Sequence, residues 1–103
     1  MIVYEVNLRV DAEIAEAYLH WLRDHMRQML RLPGFLAAEL FAVDDAEADS
    51  NAQRYCAQYR LRDAEALADY LSEHAPRLRA EGTTRFGTRF SAQRRVLRPL
   101  ATT

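Results

Sequence analysis

Residues 2–10 alternate without a break, Ile2, Tyr4, Val6, Leu8 and Val10 against Val3, Glu5, Asn7 and Arg9. A period of two predicts a strand with one buried face. The period then lengthens. Wound at about 100° per residue, residues 12–31 gather Ile14, Ala15, Tyr18, Leu19, Trp21, Leu22, His25, Met26, Met29 and Leu30 in one arc. Glu13, Glu16, His20, Arg23, Asp24, Arg27, Gln28 and Arg31 fill the other. The apolar arc covers roughly half the cylinder, too broad for a coiled-coil seam and suited to lying on a sheet. Asp11 is placed to cap this helix, and Pro33-Gly34 to stop it.

Residues 35–43 are apolar and strand-like, without clear parity, and 44–52 (DDAEADSNA) read as an acidic hairpin loop. Residues 53–61 alternate again, Tyr55, Ala57, Tyr59 and Leu61 against Arg54, Cys56, Gln58 and Arg60. Asp63 caps a second helix whose apolar face is Ala64, Leu67, Tyr70, Leu71, His74, Ala75 and Leu78. Pro76 is expected to end it and to open a short further turn that stops near Gly82. Residues 84–97 make the last predicted strand, with Phe86, Phe90 and Ala92 on one face and Arg89, Ser91, Gln93 and Arg95 on the other. The tail, 99–103, is expected to fray.

The order is β-α-β-β-α-β, an α+β, ferredoxin-like pattern, here as one domain over residues 1–103. Right-handed crossovers place both helices on one face of a four-stranded antiparallel sheet, with the first strand between the third and the fourth.

Half of the 103 residues are hydrophobic and 28% are charged, ordinary for a soluble globule. One cysteine, Cys56, excludes an internal disulfide framework and a multi-cysteine metal site. Met1 runs straight into the first alternation, with no signal-peptide pattern and no apolar run of membrane-spanning length, so the expected location is the cytoplasm. The net charge of −1 hides an asymmetry: residues 1–76 carry seven Arg against fourteen acids, and 77–103 carry seven Arg against Glu81 alone. Every basic residue is Arg, which codon bias explains without a function.

The strand parities leave a polar sheet face displaying Glu5, Asn7, Arg9, Arg54, Cys56, Gln58, Arg60, Arg89, Ser91, Gln93 and Arg95. Three fates compete for it: solvation, closure by a second copy around a polar cavity, or service as an RNA platform. The last needs aromatics on the open face, and Tyr4, Tyr55 and Tyr59 have the opposite parity, so no nucleic-acid partner is expected.

The spacing W-x-x-x-H-x-x-x-M-L-x-x-P-G-F, Trp21 to Phe35, resembles the dimeric α+β barrel superfamily, which includes the antibiotic-biosynthesis monooxygenase-like proteins. More closely, MIVYEVNLRVD, WLRDHM, YCAQY and YLSEHAPRLRAEGTTRFGTRFSAQRR resemble a family of short bacterial proteins known only as a domain of unknown function. The resemblance implies a homodimer whose sheets pack face to face, and it carries no catalytic residue with it. The superfamily spans cofactor-free oxygenases, haem-degrading enzymes, isomerases and ligand sensors, so fold alone does not choose among them.

His25, one turn after Trp21 in the apolar arc, is the candidate acid/base; the alternative is a core histidine with hydrogen-bonded ring nitrogens. His74 invites the same pair of readings, and His20 lies on the polar arc. His20 and His25 are five apart and diverge, so no metal site is expected, and the acids of 44–49 lack the glycine and terminal glutamate of a calcium loop. Cys56 stands near Arg54 and Arg60, which would lower its pKa, yet no histidine shares its strand. No phosphate-binding glycine loop is present and no cofactor is implied. Three hypotheses follow. The first is a homodimer binding a small polar or anionic molecule in a cavity lined by Glu5, Asn7, Gln58, Arg60, Arg89 and Gln93. The second is a cofactor-independent monooxygenase-like enzyme using His25. The third is a structural dimer held by charge pairs.

Overall fold

The alternation of residues 2–10 becomes β1, Ile2–Asp11, in a computed structural model describing residues 1–44 and 51–103. Its even-numbered side chains are at most 9% exposed, so the period-two reading is also the burial pattern. A single 3-10 turn, Ala12–Ile14, leads into α1, Ala15–Met29. Then come β2 (Phe35–Ala42), β3 (Ala52–Leu61), α2 (Ala64–Glu73), α3 (Ala75–Phe86) and β4 (Phe90–Leu97). The sheet is antiparallel throughout, in the order β2-β3-β1-β4. The helices share one face, and the Cα envelope of 37 × 35 × 17 Å has the thickness of two layers. This is the α+β, ferredoxin-like arrangement, and it leaves the other sheet face uncovered among the described residues.

The core lies between sheet and helices. β1 gives Tyr4, Val6, Leu8 and Val10, β3 gives Tyr55, Ala57, Tyr59 and Leu61, and α1 gives Tyr18, Leu22, Met26 and Met29. Gly34 reverses the chain after α1 with φ of 83°, a conformation that favours glycine. Asp63 caps α2 as its position predicts, accepting from the Ala66 N–H at 2.9 Å. No helix among the described residues is long and apolar enough to cross a membrane.

Four local expectations need correction. Asp11 does not cap α1: β1 runs through it, and its carboxylate faces Arg9 at 3.2 Å and Arg89 at 3.8 Å instead. The short turn expected after Pro76 is a full helix. Pro76 sits in its first turn, where a missing N–H costs nothing, and Gly82 does not stop it. Residues 84–89 are therefore not strand; Phe86 ends α3 and packs on Tyr18, and Gly87 makes the turn with φ of 60°. On α2 the buried alanine is Ala66, while Ala64 and Leu71 are exposed. The acidic loop expected at 44–52 lies, for residues 45–50, outside the described residues.

Candidate functional site

The uncovered face is ordered by register. Glu39, Gln58, Glu5 and Arg95 lie in one row across all four strands. Glu5, at the centre, is 3% exposed. Its carboxylate accepts from Asn7 Nδ2 at 2.9 Å, Gln58 Nε2 at 3.0 Å and Arg95 Nε at 2.7 Å. The Asn7 hydrogen bond, with those of Arg95 and Gln58, holds its pKa below the usual carboxylate value against the opposing effect of burial. So Glu5, Asn7 and Gln58 do come together, but as a closed network with few acceptor positions left. Gln93 stands opposite Asn7 in register. Arg60 turns towards Glu39 at 3.7 Å. Arg89 lies outside β4 and binds Glu13 at 2.8 Å, away from the row. Burial and the Glu5 carboxylate push the Cys56 thiol up, so its arginine neighbours do not activate it.

The larger hollow lies on the opposite side of the sheet. A cavity of about 420 Å³ opens between β1, β3, β4 and the three helices, within the range of small-molecule sites. Tyr4, Tyr18, Tyr59, Tyr70, Trp21 and Phe90 supply aromatic walls, and Val6, Leu8, Leu22, Met29 and Leu78 supply aliphatic ones. Of its exposed lining residues, Thr83, Gly87, Thr88 and Ser91 lie around the α3–β4 turn, while Arg79 on α3 and Arg94 on β4 reach the cavity from further along their elements.

His25 lines this cavity from α1. Its ring stacks on Trp21, centroids 4.7 Å apart and planes 19° from parallel. Its Nδ1 is buried with no hydrogen-bond partner among the described residues. Burial first, then the positive charge of Arg94, lowers its pKa to about 4, so the imidazole is neutral at pH 7. Burial likewise raises the phenols of Tyr18 and Tyr59, and takes Tyr70 to about 12. Two cations reach the cavity. Arg79, on α3, donates to the Tyr4 hydroxyl at 2.9 Å. Arg94, on β4, sits opposite Val6 with the parity of Phe90 and Ala92, so it faces the helices, not the open sheet face. Neither arginine was among the expected site residues. Arg94 could have been found by carrying the Phe90-Ala92 alternation two residues further. His74 packs instead near Glu73, at 3.9 Å, and His20 is exposed. Among the described residues no cluster of His, Cys, Asp or Glu is arranged to hold a metal ion.

Residues 1–100 match the family described as a domain of unknown function, DUF4286. The chain belongs to that family. Comparison of the DUF4286 chain with curated proteins finds no match. Solved structures do resemble it. A variant of SnoaB, a cofactor-independent oxygenase from Streptomyces nogalater, superposes with a TM-score of 0.69 at 17% identity, covering 98% of this chain and 95% of that one. HapK from Hahella chejuensis gives 0.71 at 14% identity, over 100% and 96%. An antibiotic biosynthesis monooxygenase gives 0.70 at 18% identity, over 98% and 100%. At these identities the likeness is one of fold: the DUF4286 chain shares the α+β, ferredoxin-like architecture of those structures.

Proposed function

We propose that this protein is a cofactor-independent, monooxygenase-like enzyme whose substrate, a small molecule with an aromatic body and one acidic O–H or C–H, occupies the cavity between sheet and helices. The observation that carries this reading is His25: a neutral imidazole whose buried Nδ1 has no partner, in the wall of an aromatic cavity. A buried nitrogen without a partner costs about 1–3 kcal/mol, and a substrate proton donor would satisfy it. The same nitrogen is then the base. It takes the proton from the substrate, and the resulting anion lies in the field of Arg94. The anion in turn favours the imidazolium, which offsets the low pKa of the empty site. A resonance-stabilised carbanion of this kind can pass an electron to dioxygen without metal or flavin.

The closed network around Glu5 supports a further reading of the open face, that it packs on a second copy. Phe41 and Val43, 38% and 42% exposed, have the parity of that face, as do the partly buried Val3 and Leu97. A saturated polar centre with apolar margins suits sheet-on-sheet contact. The polar molecule expected at Glu5, Asn7, Gln58, Arg60, Arg89 and Gln93 would have to displace existing bonds there, so the helix-side cavity is the favoured ligand site.

The test uses Trp21, the only tryptophan. Titration with 1-naphthol should quench its emission saturably. A His25→Gln variant should keep that binding while losing oxygen uptake with acidic bicyclic phenols. Saturable quenching without any oxygen uptake in the wild type leaves a binder and removes the enzyme; no quenching removes the cavity as the site.

A further inference from the structure

The ring contacts around the helix-side cavity fall into two groups. Tyr18, Trp21, His25, Phe86 and Phe90 form one, through contacts such as the Trp21–His25 stack and the 5.0 Å approach of Tyr18 to Phe90. Tyr4, Tyr59, Tyr70 and Phe35 form the other, with Tyr4 5.7 Å from Tyr70 and 6.1 Å from Tyr59. Both groups send rings into the cavity. Each has its own polar group. The first has His25. The second has Arg79, which donates to the Tyr4 hydroxyl at 2.9 Å. Having accepted there, the Tyr4 hydroxyl keeps its own proton to donate. Arg94 lies between the two groups. It stands opposite Val6 as Val96 stands opposite Tyr4, one diagonal step from Tyr4 on the same face. Burial raises the Tyr70 phenol most, then the Tyr4 hydroxyl, and the charges of Arg79 and Arg94 both oppose this. On His25, after burial, Arg94 acts without Arg79. Among the described lining residues no aspartate or glutamate balances either arginine.

We propose that the substrate of this cavity is two-ended, an aromatic carboxylate whose acidic proton meets His25 and whose carboxylate is held by Arg79 and the Tyr4 hydroxyl. This rests on the reading that the helix-side cavity takes the ligand, and it adds the charge which that reading leaves open. A carboxylate has two oxygens, so it can accept from the guanidinium and from the phenol at once. Arg79 is solvent-exposed, so the carboxylate keeps part of its hydration while the ring enters, which limits the cost of binding a charge. Two cations then serve two negative charges. Arg79 holds the permanent one, and Arg94 faces the one that appears when His25 takes the proton.

The probes are 2-naphthol and 6-hydroxy-2-naphthoate, the same ring with a carboxylate at the end away from the hydroxyl. Binding is measured by titration calorimetry at pH 7 and constant ionic strength. The wild type should bind the carboxylate about tenfold more tightly than the naphthol. Raising the salt concentration should shrink that preference, because Arg79 is exposed. Arg79→Gln should remove the preference and leave 2-naphthol binding unchanged. Arg79→Lys should fall between, and Tyr4→Phe, which removes one hydroxyl from the core, should reduce the preference. Equal binding of the two probes by the wild type overturns the proposal and leaves the cavity as a site for neutral ligands. A preference that survives Arg79→Gln and is lost in Arg94→Gln overturns it too, because the carboxylate would then sit on β4. If neither probe binds, the cavity reading falls and this proposal falls with it.

Discussion

The neutral, buried His25 makes folding sensitive to acid in a window set by its own titration. In the unfolded chain its pKa is the ordinary 6.5; in the fold it is about 4. As pH falls below 6.5 the unfolded state takes up a proton that the folded state refuses, so stability drops. Below about 4 both states are protonated and the loss stops growing. Each pH unit within the window costs about 1.4 kcal/mol, so the loss from pH 7 to pH 4 is about 2–3 kcal/mol. That is a large share of the stability of a domain this size. The assay is urea unfolding of wild type and His25→Gln at a series of pH values, since the difference between the two cancels every other carboxylate and histidine. Trp21 reads the same event without unfolding, because an imidazolium stacked on an indole quenches its emission. The quenching midpoint should fall near pH 4. A midpoint near 6.5, or parallel pH profiles for the two proteins, would refute the reasoning that His25 is desolvated in the cavity wall.

Three further outcomes follow from the packing. Gly82→Ala sets a helix-propensity gain of up to about 1 kcal/mol against a Cβ placed 2.9 Å from Trp21 Cη2. Overpacking costs about 1–3 kcal/mol, so the variant should be less stable and its Trp21 emission shifted; an unchanged spectrum with higher stability would contradict the close α1–α3 approach. Gly34→Ala meets both a positive φ and the Cβ of Ala66, and should lower stability by at least about 2 kcal/mol in chemical unfolding. Glu5→Gln presents an amide NH₂ to one of three donors, and should cost about 2 kcal/mol at pH 7. Because the Glu5 pKa is lowered in the fold, its contribution is present above the ordinary carboxylate value and fades as pH falls below it; equal wild-type and variant stability at pH 7 would count against the network.

Much of this fold could be read from residue order. The alternation of Ile2 to Val10 and the arc from Ala15 to Met29 are strong periodic signals, and Asp63 acts as the cap it looks like. The errors have local causes. Asp11 has a capping residue's chemistry, but the strand ladder and two arginines compete for it. Gly82 looks like a helix stop because the sequence cannot show the Trp21 ring that fills the space of its missing side chain. Thr84, Arg85 and Phe86 then look like strand. The cavity was hidden for a deeper reason. Parity sorts side chains to the helix side of a sheet, yet it cannot say whether that side is filled or hollow. His25 was visible as an odd residue in an apolar arc. Arg94 was the second clue, a cation with the parity of Phe90 and Ala92.

The most direct measurement is a crystal structure of the protein soaked with 1-naphthol. Ring density between Trp21, His25 and the β1–β4 strands, with the naphthol oxygen within hydrogen-bonding distance of His25 Nδ1, is the predicted result. Density confined to the open sheet face beside Glu5, with the helix-side cavity left as water, would contradict it.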